Sequence, residues 1–112
     1  MKKIVDEKIK GYTTSAYKKI NTYVISRTNR ITIVIRNSGA AQSLKYKILA
    51  YANKETTDTD DAIEYTPETT LALGTAVEEV ISNTAYAKIE LYIKDGDGKT
   101  SFSISAIKQM EA

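Results

Sequence analysis

The sequence predicts an all-β fold: one two-sheet antiparallel β-sandwich, Ig-like or jelly-roll-like, of about seven strands with an N-terminal arm. Three observations lead there. Apolar residues recur with a period of two in segment after segment, β-branched residues fill the most regular of these, and turn residues separate them with no clear amphipathic helix between. At 112 residues the chain has room for a single core, so residues 1–14 are read as the arm and 15–112 as the sandwich.

The plainest strand is RITIVIR at residues 30–36, where Ile31, Ile33 and Ile35 alternate with Thr32 and Val34. Branching at Cβ suits a pleated sheet and disfavours a helix. A preceding strand is expected within 16–25. After Asn37-Ser38-Gly39, residue types that tolerate tight turns, LKYKILAYA at 44–52 alternates again, with Leu44, Tyr46, Ile48 and Ala50 on one face. Residues 53–70 are polar, rich in Thr and Asp, and hold the only Pro, Pro67. They read as a surface excursion with a short edge strand near Ile63 to Tyr65, and Leu71, Leu73 and Gly74 as a return to the core and a turn. TAVEEVIS at 75–82 fits either a strand or one helix face, and its eight residues between turn signals favour a strand. AKIELYIK at 87–94 puts Ala87, Ile89, Leu91 and Ile93 inward. Asp95-Gly96-Asp97-Gly98 then reads as a hairpin turn into a last strand over 100–108, with Phe102, Ile104 and Ala106 on one face.

Composition removes whole classes of chemistry. The chain has no Cys and no His, hence no disulfide, thiolate nucleophile, zinc-thiolate site, imidazole base or imidazole ligand. Walker, dinucleotide and GxSxG patterns are missing too. Glu78 and Glu79 point to opposite faces of a strand, so they make no catalytic pair. The carboxylates Asp58, Asp60 and Asp61, with Glu55 and Glu64 near, offer hard oxygen ligands, although clustered loop carboxylates are more often simply solvated. Asp95 to Lys99 departs from a calcium loop, with Lys99 and Thr100 at the fifth and sixth positions and Ala106 where the closing Glu belongs. No enzyme, metal or other cofactor is expected. Charged residues near the start interrupt any signal-like apolar stretch, and no apolar run is long enough to span a membrane.

Net charge is +2, but residues 1–54 hold 12 Lys and Arg against two acids, and residues 55–112 hold 4 Lys against 12 acids. Such asymmetry fits complementary faces between subunits, charges that mix once strands interleave, or a nucleic-acid arm. Nucleic acid is the reading the residues favour least. Tyr dominates the aromatics, eight against one Phe, and suits a surface covered by a partner, a glycan-stacking face or a half-exposed sheet. The residues expected at an interface are Lys2, Lys3, Ile4, Val5, Lys8, Ile9, Lys10, Tyr12, Tyr17 and Tyr51, the arm pairing with an exposed edge of a neighbouring copy about a hinge at Gly11. A frayed terminus and a short helix packed on its own domain are the alternatives for the first fourteen residues.

Three segments carry a resemblance: ITIVIRNSGAAQSLKYKILAYA, PETTLALGTAVEEVIS and AYAKIELYIKDGDGKTSFSISAIK. From about Tyr23 to Lys108, roughly three quarters of the chain, it resembles small tailed-phage virion proteins, the decoration or head-surface β-sandwiches encoded beside capsid genes. The lysine-rich first fourteen residues and the acidic 55–64 stretch are outside that pattern. The resemblance implies a non-enzymatic virion protein, made in the host cytoplasm and placed on the capsid exterior. Its partner would be the major capsid protein or its own copies in a homo-oligomer such as a trimer, with no membrane. A carbohydrate-binding or adhesion module and a surface filament subunit are the alternatives.

Overall fold

The computed structural model describes residues 2–25, 28–53, 55, 58–81 and 86–110. Eight strands run in chain order: β1 Lys2–Tyr12, β2 Lys18–Val24, β3 Thr28–Asn37, β4 Leu44–Tyr51, β5 Ile63–Leu71, β6 Ala76–Ile81, β7 Lys88–Asp95 and β8 Ser101–Met110. One sheet has the order β1-β8-β3-β6 and the other β2-β7-β4-β5, with every pairing antiparallel.

These orders describe a chain folded in half at the β4–β5 connection. β4 pairs with β5, β3 with β6, β2 with β7 and β1 with β8. The long double ribbon is then rolled so that successive ribbon segments alternate between sheets, and β3·β8 and β4·β7 close the roll laterally. This is the eight-stranded jelly roll, one of the two connections the sequence leaves open.

The alternation expected of the strands is observed. Ile31, Ile33, Ile35, Leu44, Ile48, Ile89 and Leu91 are fully buried between the sheets, with Phe102, Ile104 and Ala106 facing them. Where spacing breaks the period of two, a bulge restores it: the register of β2 shifts between Lys19 and Asn21. That extra residue lets Ile20 pack on the core while Tyr23 and Ile25 also lie within it. Pro67 is tolerated because β5 is an edge strand whose register against β4 also shifts, Tyr46 facing Thr69 and Ile48 facing Thr66.

Three local expectations differ from what is observed. Asp95-Gly96-Asp97-Gly98 is no hairpin turn, since β7 and β8 belong to different sheets. The excursion at 53–70 ends in the nine-residue strand β5, longer than the short edge strand expected, after a 3-10 turn at Thr59–Asp61. Gly11 lies inside β1 rather than at a hinge; it faces Phe102 across the ladder, and a Cβ there would come within 3.0 Å of the Phe102 ring. The segment read as an arm thus supplies the eighth strand, paired to β8 of its own chain from Lys2 to Tyr12.

Candidate functional site

The sandwich offers four surfaces on which function can be built: its two flanks, the outer face of the β2-β7-β4-β5 sheet, and the loop end near Tyr12.

The flanks follow from the topology. β5 and β6 sit on one side, clasped by Tyr65 Oη donating to the Val80 carbonyl at 3.3 Å and by Thr66 Oγ1 donating to Glu79 at 3.1 Å. β1 and β2 end the two sheets on the opposite side. Residues 1–24 carry Lys2, Lys3, Lys8, Lys10, Lys18 and Lys19 against Asp6 and Glu7, whereas residues 55–81 carry eight acids and no base. Pairing mixes strands of the two halves within each sheet, but the outermost strands keep their own sign: β1 and β2 leave one flank basic, and β5 and β6 leave the other acidic. Lys8, Lys10 and Lys18 are exposed on the first, and Asp60, Asp61, Glu64 and Glu78 on the second. Inside the acidic flank, Glu79 turns toward the core margin and accepts a 2.6 Å hydrogen bond from Tyr46. Burial and that carboxylate raise the Tyr46 phenol above its ordinary range.

The outer face of the second sheet is a tyrosine–lysine–glutamate array. Glu90, Tyr51 and Lys88 project away from the core yet are 3%, 1% and 5% exposed. Glu90 accepts hydrogen bonds from the Tyr51 and Tyr92 hydroxyls, both 2.8 Å, and lies 3.6 Å from Lys19 and 3.7 Å from Lys88. Burial alone pushes its carboxyl up, but the two hydroxyls and two ammonium groups outweigh this and hold it below the usual range. In return, desolvation first and the carboxylate second push Tyr92 up to about 12. Further along, Tyr17 Oη donates to Glu68 at 2.6 Å, and Lys47 and Lys94 stand 4.5 and 5.1 Å from its ring centre.

At the loop end, Tyr12 is 69% exposed beside an open cavity of about 330 Å³ lined also by Gln42, Lys99 and Thr100. The loops around it are pinned by Asn37, which is wholly buried. Its amide donates to the Gln42 and Leu71 carbonyls at 2.8 and 3.2 Å, and its oxygen accepts from Gly39 N–H and Thr100 Oγ1 at 3.1 and 2.9 Å. Asp97 accepts from Ser43 N–H at 2.6 Å, and Gly96 N–H donates to the Ser43 carbonyl at 3.0 Å. The Asp-Gly stretch thus docks the β3–β4 loop, and its glycine allows the close approach: a Cβ on Gly96 would meet the Ser43 carbonyl oxygen at 2.7 Å.

Of the residues expected at an interface, Lys2, Lys3, Ile4, Val5, Lys8, Ile9, Lys10 and Tyr12 all lie on β1. Among them Lys8, Lys10 and Tyr12 are exposed and Ile9 packs against the core. Tyr17 is half-buried across the outer sheet face, and Tyr51 is sealed against Glu90 and presents no surface. The acidic flank, formed by β5 and β6, is not among the expected interface residues. Its signal is present as the eight acids of 55–81, but their gathering on one side depends on pairing. Asp58 caps its own 3-10 turn, accepting from Asp60 N–H at 2.9 Å. Among the described residues no group of three or more possible metal ligands gathers, and no helix is long and apolar enough to cross a membrane.

A jelly roll with open, charged flanks is therefore the class of protein the structure defines. No protein-family model and no curated protein matches the chain. Among solved structures it is similar to the protein of the Bacillus endospore appendages, a family of disulfide-linked pili, with TM-score 0.53, 13% identity, and 99% of this chain covering 93% of that one. It is similar also to the Yersinia pseudotuberculosis-derived mitogen, with TM-score 0.56, 9% identity, and 96% of this chain covering 88% of that one. At such identities these likenesses establish a shared fold.

Proposed function

We propose that the chain is a non-enzymatic structural subunit of an external assembly, a phage virion protein that decorates and stabilises a capsid by docking on its outer lattice or on its own copies. The observation that carries this reading is the pair of open, oppositely charged flanks. They carry exposed Tyr12 on one side and exposed Ile63, Tyr65 and Val80 on the other. Strand edges that no other strand among the described residues pairs with, carrying apolar groups among charges, are surfaces suited to being covered. The similarity of the three quoted segments to head-surface β-sandwiches points to a capsid, and the full-length likeness in fold to a pilus protein agrees with a subunit role. With no Cys among these 112 residues, copies of them cannot be joined through disulfides, and charge and strand edges are left to carry the contact. The test is fractionation of particles released by cells that carry the gene. The chain should co-purify with virions and be stripped from them by mild protease while heads stay intact; recovery in the soluble fraction alone defeats the proposal.

A second reading, a carbohydrate-binding module, draws on the Tyr12 cavity, where an exposed ring stands beside amide, hydroxyl and ammonium groups. A glycan array decides it: a saturable hit lost in Tyr12→Ala supports this reading, and no hit removes it.

A further inference from the structure

The two flanks are complementary to each other, and from this we infer that copies of the chain associate heterologously, the basic β1–β2 flank of one against the acidic β5–β6 flank of the next. This rests on the structural-subunit reading above and names the partner of its surfaces: a second copy.

Each flank ends both sheets with strand edges that pair with no other strand among the described residues. Such edges are templates for further pairing, and charges upon them choose the partner. Lysines on β1 and β2 oppose joining basic flank to basic flank, and the carboxylates of β5, β6 and the preceding turn oppose acidic to acidic. Only the unlike combination is attractive. It also brings the exposed apolar side chains of Ile63, Tyr65 and Val80 against the flank that holds Tyr12 and Val24, which are 69% and 42% exposed. The neutralisation already present within the chain is partial. Lys45 lies 3.7 Å from Glu68 and Lys19 turns to Glu90, while Lys8, Lys10 and Lys18 on one side and Asp60, Glu64 and Glu78 on the other remain exposed. Because the two surfaces are different patches of one molecule, their contact repeats from copy to copy. It closes into a ring if the rotation permits and otherwise grows as a filament.

The experiment uses two charge-reversed full-length chains, one carrying Lys8→Glu, Lys10→Glu and Lys18→Glu, the other Asp60→Lys, Glu64→Lys and Glu78→Lys, followed by sedimentation velocity. All these side chains are exposed, and circular dichroism verifies that each variant folds. The natural chain should self-associate at low salt and dissociate as salt is raised. Each reversed chain alone should associate at least about tenfold more weakly. An equimolar mixture of the two should recover association, since acidic and basic surfaces are again paired. If both reversed chains assemble like the natural one, the flank pairing is overturned and the structural-subunit reading stands. If the mixture fails to recover, or the natural chain stays monomeric at low salt, the flank pairing is overturned as well, and the subunit reading is then judged by particle fractionation.

Discussion

Two buried polar networks in this small domain do opposite kinds of work. At the loop end, the Asn37 side chain joins Gly39, Gln42, Leu71 and Thr100 through four hydrogen bonds without a single titratable group. On the outer face of the second sheet, Glu90 holds Tyr51, Tyr92, Lys19 and Lys88 through charge as well as hydrogen bonding. The first ties together loops from three different connections and is indifferent to pH. The second ties neighbouring strands of one sheet and keeps its full strength only while a carboxylate is ionised and phenols are not. The shape of the loop end is thus secured by geometry, whereas the sheet face is secured by electrostatics and can be loosened by conditions.

The largest effect is expected at the first network. Asn37→Ala removes the partner of four groups at once, the Leu71 carbonyl and Thr100 hydroxyl among them buried, and should cost about 2–4 kcal/mol, read as a lower denaturation midpoint that is the same at pH 5 and pH 8. A midpoint that moved with pH would erase the distinction between the networks. Gly96→Ala comes next, because its Cβ would press on the Ser43 backbone; a loss of about 1–3 kcal/mol is expected from the forced displacement of the β3–β4 loop.

Glu90→Gln should cost less near neutrality, about 1–2 kcal/mol, since the amide still accepts from the tyrosines while losing its charge beside Lys88. Its signature is the pH profile. Because the folded-state carboxyl is held below its ordinary value of 4.5, its stabilisation is present above that pH and is lost as pH falls through the depressed value. The natural chain should therefore weaken below pH 4.5 while the variant stays flatter there; parallel profiles would show that Glu90 does not govern the acid limb. At the other extreme, Tyr92 is pushed up from 10.0 to about 12, so its contribution is complete below pH 10 and disappears as pH rises through 12. Smallest of all, Tyr17→Phe breaks only the contact with exposed Glu68, and no measurable shift in midpoint is expected.

Much of the core is legible in the order of the residues alone. The isoleucines of β3, the alternation of β4 and β7, and Phe102, Ile104 and Ala106 of β8 emerge from period-two patterning because one face of each strand must be dry. β1 is not legible as a strand of the sandwich. Its charged residues resemble a solvated arm, and a register shift between Lys3 and Val5 breaks its alternation. β5 reads as too short because Thr, Glu and Pro are loop residues anywhere except on an exposed edge. The Asp-Gly signal correctly marks a turn and wrongly suggests a hairpin, since turn chemistry fixes the local bend and not which sheet the next strand enters.

The sequence by itself determined that the chain is all-β and lacks imidazole and thiol chemistry. It also determined that the two halves of the chain carry opposite charge, since these follow from residue types and short-range periodicity. The tertiary structure alone decided that the strands roll up as a jelly roll, that Glu90 and Asn37 become buried anchors, and that basic and acidic strands part to opposite flanks. Those outcomes depend on which distant strands pair, and non-local pairing is chosen by the whole core at once rather than by any segment within it.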